Sequence, residues 1–241
     1  MNQELYQLLK NNLDHTGLPV MEQNLFKHTT EKYGKEEFRK TLAEFITNEK
    51  PPYPLKEFDM EKVVDVFRKL QKADFTKYLS TPDNVMEKYD DYKYAYKDYG
   101  LGLIDCPSVF NYCSDAFMND LRMECGSYGF KSPVTRWNEG DNIWGAFGPI
   151  WRGVNSSQDL SRGTYTMAFR LGTYIATQFK PIVAKTIYNM TDAKTVLDTS
   201  MGWGDRLTGF FASNATHYIG CDPNPNTFKR YKDMIEFWNS L

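Results

Sequence analysis

The chain has 241 residues, of which 41% are hydrophobic and 15% aromatic, and a formal net charge of −2. That length and apolar content suit one large domain or two small ones with a substantial core, and exclude a disordered protein. The near-zero charge excludes a global basic field drawing the chain to nucleic acid or membrane, and cysteines without a Cys-x-x-Cys pair with three scattered histidines (His15, His28, His217) argue against zinc.

From the amino terminus to about residue 98 the chain reads as a charged, helical region. Glu4–Leu13 has amphipathic spacing, and Lys35–Thr47 repeats Phe38, Leu42, Phe45 and Ile46 at helical intervals. Pro51, Pro52 and Pro54 end that helix. Asp59 is placed to cap a helix over Met60–Leu70, whose Val63, Val64, Phe67 and Leu70 share one face. Tyr89–Tyr99 is tyrosine-rich and reads equally as a strand or an irregular helix.

Residues 99–164 form a middle segment crowded with glycine, proline and aromatic residues. It suits loops packed over a pocket, where Trp137, Trp144 and Trp151 with Arg122, Arg136 and Arg152 would stack on a base or hold a phosphate. The alternative for each Trp is an aromatic core. Asn155-Ser-Ser matches a glycosylation acceptor, which has no meaning in an intracellular protein. No signal peptide opens the sequence and no apolar run approaches the ~18 residues of a membrane span, so the expectation is a cytoplasmic protein with reduced thiols and no membrane partner.

Residues 165–241 carry the most specific pattern. Thr177–Tyr188 is helix-like and leads into a short apolar strand, Thr195–Leu197, ending in Asp198. A turn with Ser200, Gly202, Trp203 and Gly204 follows, then an apolar helix over Leu207–Ala212. A second strand, His217–Gly220, ends in Asp222, Pro223 and Asn224. Strand, glycine turn, helix, strand and acid make half of a doubly wound sheet, with its ligand outside the carboxyl ends of the strands. The turn is not Gly-x-Gly-x-x-Gly, which weighs against a dinucleotide.

Asp-x-Ser-x-Gly-x-Gly with the later acid resembles the cofactor site of S-adenosylmethionine-dependent methyltransferases. The preceding Phe179 and Pro181, with Gly-Trp-Gly-Asp-Arg-Leu at 202–207, are similar to DNA amino-methyltransferases of phage or viral type. The resemblance implies an α/β fold with an incomplete, carboxyl-terminal Rossmann-like methyltransferase sheet behind a helical amino-terminal region. It also implies S-adenosylmethionine as cofactor and DNA as partner. Asp198 would lie beside the methionine amino group, directly or through water, and Ser200 near its carboxylate, with the backbone at Gly202, Trp203 and Gly204 approaching the cofactor. Asp222 would take the ribose hydroxyls, Pro223 or Asn224 would border the adenine, and Phe179 and Pro181 would cover the methionine arm. Asp205 and Arg206 suit either a helix start or a ligand contact.

The implied function is binding S-adenosylmethionine within an adenine-N6 or cytosine-N4 methyltransferase, with direct transfer to an exocyclic amino group. Members of the family carry a further Asp/Asn/Ser-Pro-Pro-Tyr/Phe motif, and residues 199–241 contain none. Lys50-Pro-Pro-Tyr53 begins with lysine, which has donors and no acceptor. The catalytic residues are therefore unknown, and a truncated, split or remnant enzyme is expected. A second chain, or self-association, would complete the sheet. The alternatives are a methyltransferase for RNA, protein or a small molecule, and a non-catalytic partner subunit.

Overall fold

The computed structural model describes residues 2–80, 102–103, 106–140, 143–148 and 158–241. These residues form an α/β chain that is mostly helical, with one short parallel sheet of two strands. The chain divides into two units, Met1–Lys56 with Asp120–Ala176, and Glu57–Asn119 with Thr177–Leu241. The 98/99 segment boundary and Tyr89–Tyr99 lie outside the described residues, and the 164/165 boundary falls inside a helix, Arg162–Gly172.

The first unit contains α1 (Gln3–Lys10), α2 (Gln23–Tyr33) and α3 (Lys35–Glu49). The helix expected over Glu4–Leu13 stops at Lys10, and Leu13 turns back to bridge with Pro19. Phe26, Phe38, Leu42, Phe45 and Ile46 are buried together, as the spacing of α3 requires.

The middle segment differs from the loops expected of it. It holds α5 (Asn111–Glu124), α6 (Pro133–Glu139) and α7 (Ile143–Ala146), followed by α8 (Arg162–Gly172), α4 being the helix Met60–Lys72. Cys113, Ser114, Met118, Asn119 and Met123 are buried along α5, two pairs of them (114/118 and 119/123) four residues apart as one helix face requires, and this spacing outweighs the flanking glycines. Trp137 is a core residue, 3% exposed. Its ring lies 5.1 Å from that of Phe169, and its indole N–H donates to the Pro51 carbonyl at 2.7 Å. Tyr53 packs edge-on against Trp137 at 5.7 Å, so the Pro-Pro-Tyr segment belongs to this core. Trp144 is half-exposed, with the Arg39 guanidinium 3.6 Å above its ring. Trp151, Arg152 and Asn155 lie outside the described residues.

The second unit begins with α4, whose N-terminus is capped by Asp59 accepting from the Glu61 amide at 2.9 Å. Its inward face is Val63, Val66, Phe67 and Leu70, with Val66 where Val64 was expected. Phe67 stacks on Trp238 of α11 (Pro225–Asn239) at 4.1 Å. A short antiparallel pair, β1 (Leu79–Ser80) and β2 (Gly102–Leu103), follows.

The carboxyl-terminal elements follow the sequence pattern: α9 (Pro181–Met190), β3 (Thr195–Asp198), α10 (Asp205–Phe211), β4 (His217–Gly220) and then α11. Pro181 starts α9, because its fixed φ suits the first helical position and its missing N–H is not needed there. β3 and β4 pair in parallel, with Thr195 opposite His217 and Asp198 opposite Gly220. Parallel pairing brings both carboxyl ends, with Asp198 and the nearby Asp222, to one side of the sheet. α9 and α10 cross so closely that a side chain on Gly209 would sit 2.6 Å from the Pro181 carbonyl.

Lys185 of α9 is 3% exposed, and its ammonium donates to the carbonyls of Leu70, Gln71 and Ala73 at 2.7, 2.8 and 2.7 Å. These carbonyls lie at and just beyond the last turn of α4, where helix carbonyls lack intrahelical partners, and the Leu70 carbonyl also accepts from the Ala73 amide at 3.2 Å. Lys185→Met keeps the bulk but leaves the three carbonyls without this donor. It should lower the unfolding free energy by about 2–3 kcal/mol in urea denaturation, and an unchanged midpoint would contradict the capping role.

Candidate functional site

The turn joining β3 to α10 is held by hydrogen bonds from several directions. Beyond the strand ends, the Cys221 amide donates to the Asp198 carbonyl at 2.9 Å, and the Met201 amide to the Cys221 carbonyl at 3.0 Å. The Tyr231 hydroxyl donates to the Gly202 carbonyl at 2.6 Å. The Trp203 indole N–H donates to the Thr177 carbonyl at 3.1 Å, drawing the segment before α9 against the turn.

The two glycines differ. Both have positive φ, +60° at Gly202 and +76° at Gly204. A Cβ on Gly204 would lie 2.7 Å from the sulfur of Met234, so this residue is packed against α11. A Cβ on Gly202 would meet nothing nearer than the Ser200 carbonyl at 3.8 Å, so its outer side is open.

Asp198 is 7% exposed. Its Oδ2 accepts from Arg206 Nε at 2.8 Å and from the Tyr218 hydroxyl at 2.5 Å. Its Oδ1 accepts from Arg206 Nη2 at 3.2 Å and from the Ser200 amide at 3.1 Å. A carboxylate offers about four acceptor positions, and all are taken. In this arrangement an amine, or a water bridging to one, reaches Asp198 only by displacing one of these donors. Burial alone would push the Asp198 carboxyl up. The bonds from Tyr218, Arg206 and the Ser200 amide outweigh it and hold the group below the usual carboxylate range. Burial and the facing carboxylate push the Tyr218 phenol upward.

Asp222 is half-buried and less fully engaged. Its Oδ2 accepts from the Gly202 amide at 2.7 Å and its Oδ1 from the Asn224 amide at 2.9 Å. One acceptor position on each oxygen remains. Asn224 caps α11, accepting from the Asn226 amide at 3.0 Å, while Pro223 and Ser200 are exposed. Phe179 is 36% exposed, with the Arg206 guanidinium 5.4 Å from its ring centre. Pro181 is buried at the start of α9. The structure thus gathers Asp198, Ser200, Gly202, Trp203 and Asp222 around one turn, with Phe179 beside Arg206 and with Gly204 and Pro181 packed inward.

Tyr218 and Tyr231 are the contributors that the pattern alone does not single out as site residues, while Arg206, which suited either a helix start or a ligand contact, binds Asp198. Tyr218 was legible in principle, since strand alternation puts it on the face of its partner Val196 and of Asp198. Asp205 is buried, accepting from the Ser114 hydroxyl and, at 3.1 Å, from Gln178 Nε2, which makes it a packing residue of α10. Among the described residues no cluster of side chains suits a metal ion, and no helix is long and apolar enough to cross a membrane.

Comparisons with protein-family models, curated proteins and solved structures give no match to this chain.

Two stability measurements check this description. Gly202→Ala should cost about 1–2 kcal/mol, the strain of a left-handed residue. Gly204→Ala should cost about 2–4 kcal/mol, because overpacking against Met234 adds to that strain; equal losses would contradict the difference in packing. For Asp198→Asn, the folded carboxyl of the native protein is depressed, so its stabilisation is complete above the unfolded value of about 4 and is lost as pH falls through the folded value. The stability gap between native protein and variant should be largest near neutral pH and should close below about pH 4. A gap that is constant with pH, or widens in acid, would contradict the paired carboxylate.

Proposed function

We propose that the turn between β3 and α10 binds S-adenosylmethionine, and that β3, α10 and β4 belong to a Rossmann-like methyltransferase sheet. The observation that carries this reading is Asp222, two residues beyond the end of β4, with one acceptor position unfilled on each oxygen. Two vicinal hydroxyls of a ribose are the natural complement, each donating to one oxygen. The open side of Gly202 supports it, since a ligand can approach the backbone there without meeting a side chain. In such a site Asp222 would hold the ribose, Pro223 and Asn224 would border the adenine, and Phe179, Ser200 and Trp203 would surround the methionine end.

The bound cofactor supplies an electrophilic methyl group on its own sulfonium; the protein's part is to bind, orient and desolvate it. The acceptor proposed is an exocyclic amino group of adenine or cytosine in DNA. That choice rests on the resemblance of Phe179, Pro181 and residues 202–207 to DNA amino-methyltransferases, and the protein is then cytoplasmic. A specific observation favours a partner as well. Leu197 and Ile219, opposite one another in the sheet, are 70% and 60% exposed. Parallel sheets are ordinarily covered on both faces, so we propose that a second chain or second copy covers this face.

Asp222→Asn is the direct test. The amide keeps one acceptor oxygen for the backbone but loses the charge and the second acceptor. S-adenosylmethionine affinity in titration calorimetry should fall about 30- to 150-fold, the equivalent of about 2–3 kcal/mol. Circular dichroism should show the fold retained. No measurable binding to the native chain, or equal affinity of native chain and variant, would overturn the proposal.

A further inference from the structure

Arg206 is bound to Asp198 by two of its donors and stands beside an exposed aromatic ring, with its third nitrogen unused. Nε and Nη2 form a two-pronged bond to the carboxylate, at 2.8 and 3.2 Å. Nη1 makes no hydrogen bond among the described residues, and the side chain remains 27% exposed. The guanidinium is fixed on one side by Asp198 and lies 5.4 Å from the centre of the half-exposed Phe179 ring. Asp198 in turn is fixed by the Tyr218 hydroxyl and the Ser200 amide. An arginine oriented in this way presents a planar, directed pair of N–H donors that cannot be deprotonated. Its complement is an anion of carboxylate geometry.

From this arrangement we infer that Arg206 is the receptor for the α-carboxylate of an amino-acid-bearing ligand, and that Asp198 is a positioning residue that aims it. The inference rests on the reading of this turn as an S-adenosylmethionine site. That ligand carries a single anionic group, its carboxylate, alongside an ammonium and a sulfonium. Asp198 has no acceptor position for the ammonium, whereas Arg206 has donors for the carboxylate. The methionine end is therefore recognised through its carboxylate, and the amino group contributes little. The family resemblance placed the emphasis the other way, with Asp198 beside the amine.

The test uses three thioether ligands that share the adenosyl group: S-adenosylhomocysteine, its analogue lacking the carboxylate, and its analogue lacking the amino group. Titration calorimetry of each against the native chain should show about a 10- to 100-fold loss without the carboxylate, the range of a charge-assisted hydrogen bond. Loss of the amino group should change affinity by less than about threefold. Arg206→Gln should lower S-adenosylhomocysteine affinity to that of the decarboxylated analogue and leave the latter's own affinity unchanged. A merely structural role for Arg206 would weaken both ligands alike, and that result would overturn the inference.

A larger loss on removing the amine than on removing the carboxylate would also overturn it, while leaving the cofactor reading intact. If none of the three ligands binds the native chain, the cofactor reading falls and this inference falls with it. Should Arg206→Gln fail to fold, the three-ligand comparison on the native chain decides by itself. Arg206→Lys then adds a second readout, since it keeps the charge but loses the fork and should show an intermediate dependence on the carboxylate.

Discussion

Two carboxylates at the ends of two parallel strands hold the turn on which this structure turns, and they hold it with different capacity to spare. Asp222 spans from β4 back to the Gly202 amide, at 2.7 Å, and forward to the Asn224 amide, at 2.9 Å. Asp198 is filled on every side by Arg206, Tyr218 and Ser200. Backbone amides leaving a strand have lost their ladder partners, and a buried unpaired amide is costly. The acids repair that loss at 200, 202 and 224. The residual chemistry of the site follows from what each acid has left: two acceptor positions on Asp222, none on Asp198, and unused donors on Arg206.

The surroundings keep this turn in place. Tyr231 and Met234 of α11 reach it from one side, the first through a hydrogen bond to Gly202 and the second through packing on Gly204. Trp203 ties residue 177 to the turn, which brings Phe179 to the Arg206 guanidinium. α9 is seated by a close crossing with α10 at Gly209 and by Lys185, whose ammonium caps carbonyls at the end of α4. A ligand at this turn therefore meets groups already aimed, which lowers the ordering cost of binding.

Much of the carboxyl-terminal half was legible in the sequence. Val196, buried between exposed Thr195 and Leu197, gives β3 its period of two, and the glycines and Asp205 mark the break into α10. Asp59 announced α4 as an N-cap should, because its side-chain oxygen is at the right offset for the first free amides. Other features depend on tertiary neighbours and left no local signal. Lys185 sits in a helix where lysine ordinarily faces water, and only the carbonyls of α4 explain its burial. Trp137 offered the same indole to a pocket or a core, and the Pro51 carbonyl decides for the core. In α5 the glycines and prolines on either side obscured a regular helical stretch. The saturation of Asp198 was invisible because it needs Tyr218 from the neighbouring strand and Arg206 from the next helix.

The central claim is that Asp222 receives a ribose and Arg206 a carboxylate on the open side of Gly202. A crystal structure of the chain with S-adenosylhomocysteine tests it most directly. The account predicts both ribose hydroxyl oxygens at about 2.5–3.0 Å from the Asp222 carboxylate, and the ligand carboxylate within about 3 Å of an Arg206 nitrogen. A ribose more than about 4 Å from Asp222, or a ligand seated away from the turn, would contradict it.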